Sequence, residues 1–329
     1  MKKVRVGAAL LALVMLVCAA AFADELKQVE TKKYGKLSRR EWQDESGTTV
    51  NGPEGYAYIL FSYKDGAVTE RYFTADDQPY KTLGGYYGRT MSYGNGGRLA
   101  EVIYLDAEGK WMLCGAGYAR VKITFTMKGQ ETGVNYYDTD NRLVRVPSLG
   151  YAAIKCEYRG TTLTKRSFLD ENRNPTDTPE GYAVMVQSVN KQNKILEIRY
   201  EHADGRPATC ADGWSVCDRE LDKKGRAVEL RYLDESGNAV NTRNGYATET
   251  VSWLNNQTCV ISRFDTAGNR VPMGAGYVSL QQETDREGRL IRESYLDADG
   301  RNVANAAGYT AVSYIYNDDG TLRETVPES

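Results

Sequence analysis

Stretches of six to eight residues in which apolar and polar side chains alternate, each bounded by Asn, Asp or Gly, recur from residue 34 to residue 326. Ala119, Val121, Ile123 and Phe125 alternate with Arg120, Lys122 and Thr124, and Ala57, Ile59 and Phe61 recur in the same phase. A period of two predicts β-strands with one face turned to a core. The strands come in pairs. Tyr246 to Trp253 is followed by the turn Asn255-Asn256, a second strand from Thr258 to Phe264, and a second turn from Asp265 to Gly268. Residues that accept positive φ at such spacing mark β-hairpins.

The pairs repeat. A glycine followed by an aromatic ring occurs at Gly55-Tyr56, Gly85-Tyr86, Gly117-Tyr118, Gly150-Tyr151, Gly181-Tyr182, Gly213-Trp214, Gly245-Tyr246, Gly276-Tyr277 and Gly308-Tyr309, in steps of 30 to 33 residues. A second ring recurs on the second strand of each pair, at Tyr72, Tyr104, Tyr137, Phe168, Tyr200, Tyr232, Phe264 and Tyr295. A lone hairpin is marginal in water, whereas stacked hairpins share one apolar strip. The expected fold is therefore all-β, an elongated solenoid of tandem β-hairpin repeats of about 32 residues. The alternative is a closed β-propeller-like array, disfavoured because a four-stranded blade takes about 40 residues or more. Residues 34–326 form the repeat domain with truncated units at both ends, 24–33 a lead and 327–329 a tail.

The first residues alter the compartment. Lys2, Lys3 and Arg5 precede an apolar run from Val6 to Ala20, and Ala21-Phe22-Ala23 ends it. These are the parts of a secretory signal peptide, with cleavage near Ala23 and an extracytoplasmic mature chain. Without residues 1–23, 39 basic and 44 acidic residues remain, a net charge of −5. A mildly acidic chain without a basic block points away from nucleic acid or an anionic membrane as the main partner. No later stretch is long and apolar enough to be a transmembrane helix.

Candidate chemistry is sparse. His202 is the single imidazole and falls in a turn, so no nucleophile–base pair can be drawn; no catalytic residue, metal ligand or cofactor is assigned. Asp297-Ala-Asp-Gly300 and Asp138-Thr-Asp140-Asn141 hint at calcium loops but depart from the ligand spacing such loops need. Cys210 and Cys217 flank Gly213-Trp214 and are read either as a local disulfide or as two small half-buried side chains. Asn256-Gln-Thr258 matches the glycosylation sequon.

Two columns are the candidate binding residues. Counted by parity, the Gly-aromatic rings fall on the mostly polar strand face, where Tyr182, Trp214, Tyr246 and Tyr277 either present flat rings to sugar or peptide or seal the joints between units. Arg199, Arg231 and Arg263 each precede a second-strand ring, with Glu197 and Glu229 two residues before the first two. They form either an anion site or a salt-bridge ladder.

Arg286-Glu-Gly-Arg-Leu290 with Tyr295-Leu-Asp297, and Lys224-Gly-Arg226 with Tyr232-Leu-Asp234, resemble the Tyr-Asp (YD, or RHS-type) repeats of secreted bacterial proteins. In architecture the Gly-aromatic hairpins are also similar to the choline- and glucan-binding repeats of cell-wall proteins. These resemblances imply a secreted β-repeat; with no catalytic residue assigned, the expected role is that of a non-catalytic binding module. The expected partner is cell-wall or surface glycan or another envelope protein, with a periplasmic scaffold that has no small-molecule ligand as the alternative.

Overall fold

The structure is a computed structural model that describes residues 26–329; the expected signal peptide and its expected cleavage site lie outside the described residues. The chain divides into two compact units, 26–154 with 170–173 and 155–169 with 174–329. The first holds β1 (Lys27–Lys33), β2 (Lys36–Gln43), β3 (Tyr58–Lys64), β4 (Ala67–Phe73), β5 (Gly88–Tyr93), β6 (Leu99–Leu105), β7 (Arg120–Phe125), β8 (Glu131–Tyr137) and the start of β9 (Ala153–Arg159). The second holds the rest of β9, then β10 (Thr162–Leu169), β11 (Val184–Val189), β12 (Ile195–Glu201), β13 (Val216–Leu221), β14 (Ala227–Leu233), β15 (Thr248–Trp253), β16 (Thr258–Phe264), β17 (Ser279–Thr284), β18 (Leu290–Leu296), β19 (Ala311–Tyr316) and β20 (Leu322–Glu328).

The fold is all-β. From β1 to β8 in the first unit, and from β9 to β20 in the second, each strand pairs antiparallel with the next in sequence. Within each unit the ladder is open and runs unbroken from hairpin to hairpin. A propeller would instead interrupt it between blades. The lead segment is itself a strand, because Lys27–Lys33 supplies the first half of the hairpin whose second half the sequence shows around Trp42.

A third element completes each repeat. After the second strand, an Asp-rich turn folds the chain back so that Val50, Tyr80, Met112, Val144, Ala208 and Val240 donate their amides to the carbonyls of Trp42, Tyr72, Tyr104, Tyr136, Tyr200 and Tyr232. The turn carboxylates are occupied by backbone: Asp234 Oδ1 accepts from Ser236 and Asn238 at 2.8 and 2.9 Å, and Asp297 Oδ1 from Asp299 and Arg301, each at 2.9 Å. This is turn chemistry of the kind Asp provides in Asx-turns. Among the described residues, no group of three or more His, Cys, Asp or Glu side chains is placed to hold a metal ion.

Fold-back residues reach both faces: Tyr80, Met112 and Val240 pack against the ring-bearing core, while Asp77 accepts a hydrogen bond from the Tyr58 hydroxyl on the face that parity assigns to solvent. Tyr58, Val184 and Ala311 on that face are buried, with Phe73 stacked on Tyr58 at 5.0 Å and the Arg39 guanidinium 3.7 Å above the Tyr58 ring. The hairpins that begin at Tyr58, Val184 and Ala311 thus bury apolar surface on both sides.

Candidate functional site

The Gly-aromatic rings join the core face. In the first unit Tyr56, Tyr72, Tyr86, Tyr104, Tyr118, Tyr136 and Tyr151 follow one another with ring centroids 4.8 to 6.2 Å apart, mostly edge to face. In the second unit Phe168, Tyr182, Tyr200, Trp214, Tyr232 and Tyr246 continue in the same manner at 4.4 to 5.7 Å. Gly-aromatic and second-strand rings therefore alternate in one column, in the tilted and T-shaped geometries that the ring quadrupole favours. Tyr56, Trp214 and Tyr246 are buried, and Tyr182 and Tyr277 are half-buried.

Strand parity fails for these rings for a definable reason. The first strand of each hairpin starts two residues after the ring, at Tyr58 or Val216 for example, so Tyr56 and Trp214 sit in the preceding turn. There the glycine takes positive φ, +89° at Gly55 and +93° at Gly181, a region costly for any residue with a Cβ. It swings the ring across to the core side, where Tyr182 and Trp214 meet Cys210, Cys217, Ile198 and Leu230. The two cysteines are free buried thiols. Burial pushes the Cys217 thiol up to about 12.

The arginines do not form one column. Arg199 and Arg231 are exposed and bond acids along their own strand: Arg199 to Glu201 at 2.8 Å and Glu197 at 3.2 Å, Arg231 to Glu229 at 3.4 Å. Arg263 faces the other way. In the other hairpins of the second unit with the same ring spacing, β11–β12, β13–β14 and β17–β18, a bulge near the tip shifts the register by one residue. β15–β16 has none. A one-residue slip exchanges the two faces of a strand, so Arg263 enters the ring column and Phe264 leaves it. Its guanidinium lies 4.4 Å from the Tyr246 ring centroid and 2.9 Å from Glu249, and its carbonyl accepts the fold-back amide of Val271 as the ring positions do elsewhere. Burial raises the Tyr277 hydroxyl, and the Arg263 charge pulls against that rise. In the first unit the column residue is Tyr136 in place of the expected Tyr137, on the same evidence of a fold-back bond, from Val144.

Burial holds the hydroxyls of Tyr72, Tyr118, Tyr136, Tyr200 and Tyr232 above their ordinary value, and that of Tyr58, with help from Asp77, at about 12. The fold thus favours the protonated, neutral ring. Its stabilisation is complete below the unfolded value of about 10 and is lost as pH rises above it. In an alkaline titration, tyrosinate absorbance and loss of the sheet circular-dichroism signal are expected to rise together in a cooperative step. Early, gradual ionisation with the sheet intact would show that water reaches the column.

His202, the one imidazole, sits in its turn with Nδ1 3.2 Å from Asp177 Oδ2. Near the tip of β15–β16 a shallow depression is lined by Asn255, Asn256, Gln257, Thr258, Glu283, Thr284 and Ile291, so the sequon forms part of its lining.

No known protein family matches the chain, and no curated protein matches it. Among solved structures it is weakly similar to the Photorhabdus luminescens Tc holotoxin pore, with a TM-score of 0.24 and 12% identity over 92% of this chain; it spans 16% of that chain's length. It is also weakly similar to choline binding protein F from Streptococcus pneumoniae, with a TM-score of 0.12 and 13% identity over 92% of this chain and 100% of the other. Scores of this size do not establish a shared fold, and function must be read from the chain's own residues.

Proposed function

We propose that this chain is a non-catalytic, extracytoplasmic repeat protein that acts as a scaffold, offering its repeated surface to another envelope protein rather than reading glycan with its Gly-aromatic rings. One observation supports this choice above others: the rings that would stack on sugar are already packed against the second-strand rings. Tyr182 and Trp214 each have a ring neighbour on both sides. A sugar-binding ring needs one free face. The exposed arginines Arg199 and Arg231 are bonded to acids of their own strands, which leaves the anion-site alternative without a free cation in that row.

Sedimentation with insoluble cell-wall glycan tests the choice. The chain is expected to remain in the supernatant. Retention that Tyr182→Ala and Tyr277→Ala abolish, with the fold intact by circular dichroism, would restore the glycan-binding reading.

A further inference from the structure

Because consecutive strands are antiparallel neighbours, all hairpin tips of the first unit lie along one edge of its ladder and all inter-hairpin connections along the other. The charges divide with them. The tips with two strand residues on either side, residues 32–37, 63–68, 92–100 and 124–132, carry the six cations Lys32, Lys33, Lys36, Lys64, Arg98 and Lys128 against two acids, Asp65 and Glu131. The connections, residues 44–57, 74–87, 106–119 and 138–152, carry nine acids against four cations. A chain that is mildly acidic overall therefore has one basic edge, which net charge alone conceals.

Large side chains protrude from the same edge. Each of the four hairpins places one there: Tyr34, 93% exposed, Tyr63, Tyr93 and the fully exposed Met127. Neighbouring tips touch, with Lys36 Nζ 4.9 Å from the Tyr63 ring centroid and the Arg98 guanidinium against Gly129. None of the six cations is in a salt bridge among the described residues.

Tyr34 is also held in an unfavourable backbone state. It forms a two-residue turn with Gly35 at φ of 52° and 77°, as Asp65 and Gly66 do in the next hairpin at 50° and 78°. Asp, Asn and Gly suit such a turn, whereas a bulky residue there is an outlier. The ring is almost wholly in solvent, with the Lys33 ammonium 5.6 Å from its centroid.

We propose that the hairpin-tip edge of the first unit docks on the surface of an anionic phospholipid bilayer. Tyrosine and methionine would enter the headgroup layer while the lysines meet lipid phosphates. Aromatic rings with a polar end settle at headgroup depth, and clustered Lys and Arg are drawn to anionic leaflets. The shape selects this partner over a soluble one. Small ligands are gripped in concavities, whereas a row of protruding tips fits a broad, yielding surface.

The test is co-sedimentation of the chain, as processed by the cell, with vesicles of phosphatidylcholine alone or mixed with phosphatidylglycerol. Binding to the anionic vesicles only, weakened by added salt, is expected. Lys33→Ala with Lys36→Ala should weaken it about tenfold or more. Tyr34→Asn should weaken it as well while leaving thermal stability unchanged or raised, because Asn suits the turn; this variant separates docking from folding. Equal binding to neutral vesicles, no vesicle binding, or binding to an anionic wall polysaccharide without vesicle binding would each overturn the proposal. None of these outcomes depends on the Gly-aromatic rings, so it can fail without affecting the scaffold reading.

Discussion

Trp214→Ala is expected to lower the unfolding free energy of the second unit by about 3–5 kcal/mol, the range for truncating a large aromatic in a core. The indole is 8% exposed and stands between the Tyr200 and Tyr232 rings at 5.0 and 5.4 Å. Cys210 and Cys217 pack beside it. Removing it opens a void between two rings that the fold-back bonds of Ala208 and Val240 hold in place, so collapse around the void is limited. In a repeat array, stability is approximately the sum of each unit and its contacts with neighbours, and this substitution weakens two such contacts at once. Urea unfolding followed by circular dichroism gives the measurement. Leu254→Ala, at a leucine of the same unit that is 62% exposed, serves as the control and should cost no more than about 1 kcal/mol. Equal losses from the two variants would mean that the ring column does not bind the repeats together.

Arg263→Ala should cost about 1–3 kcal/mol. That lies below the usual figure for breaking a buried pair because both partners retain some solvent contact, with the Arg263 and Glu249 side chains 29% and 17% exposed. The loss combines the cation above Tyr246, the bond to Glu249, and the bulk that fills the column before Tyr277. A double variant separates these contributions. In the next hairpin the equivalent cross-strand pair is Leu280 and Tyr295, so Glu249→Leu with Arg263→Tyr rebuilds the local rule. It is expected to match or exceed the parent in urea, since well-packed apolar replacements of ion pairs are often neutral or stabilising. Arg263→Tyr alone should be clearly less stable than the double variant because it leaves the Glu249 charge half-buried and unpaired. If both variants were equally stable, Glu249 would not be coupled to Arg263.

The strands, their pairing and the repeat length were legible because all three rest on local signals: alternation, turn residues and the spacing of Gly-aromatic pairs. The side on which the rings lie was not. Parity holds only inside a strand, and Tyr56 or Trp214 lies two residues outside one. The fold-back loops were hidden as well, since a single bridge such as Leu105 to Trp111 leaves no periodic trace. As a result, the partial burial of the second face at Tyr58 and Val184 went unforeseen. Arg263 grouped with Arg199 and Arg231 because each precedes a ring by one position, yet a better ruler existed. Fourteen residues before Tyr86, Tyr118, Tyr182, Trp214, Tyr246 and Tyr309 stand Tyr72, Tyr104, Phe168, Tyr200, Tyr232 and Tyr295; fourteen before Tyr277 stands Arg263. Measuring back from the following unit crosses the fold-back loop, whose length is constant there. Measuring forward crosses the hairpin tip, whose length is not.

That contrast makes the bulge near a hairpin tip a buffer against changes in chain length. In β13–β14 it takes up one residue, Val228, opposite the step from Glu220 to Leu221; in β3–β4 the tip is shorter, the bulge is gone, and Tyr72 still meets Tyr56. A single-residue deletion at a bulged tip can thus be absorbed before it reaches the rings. β15–β16 has no slack left, and there the next residue lost or gained would change which side chain stands in line.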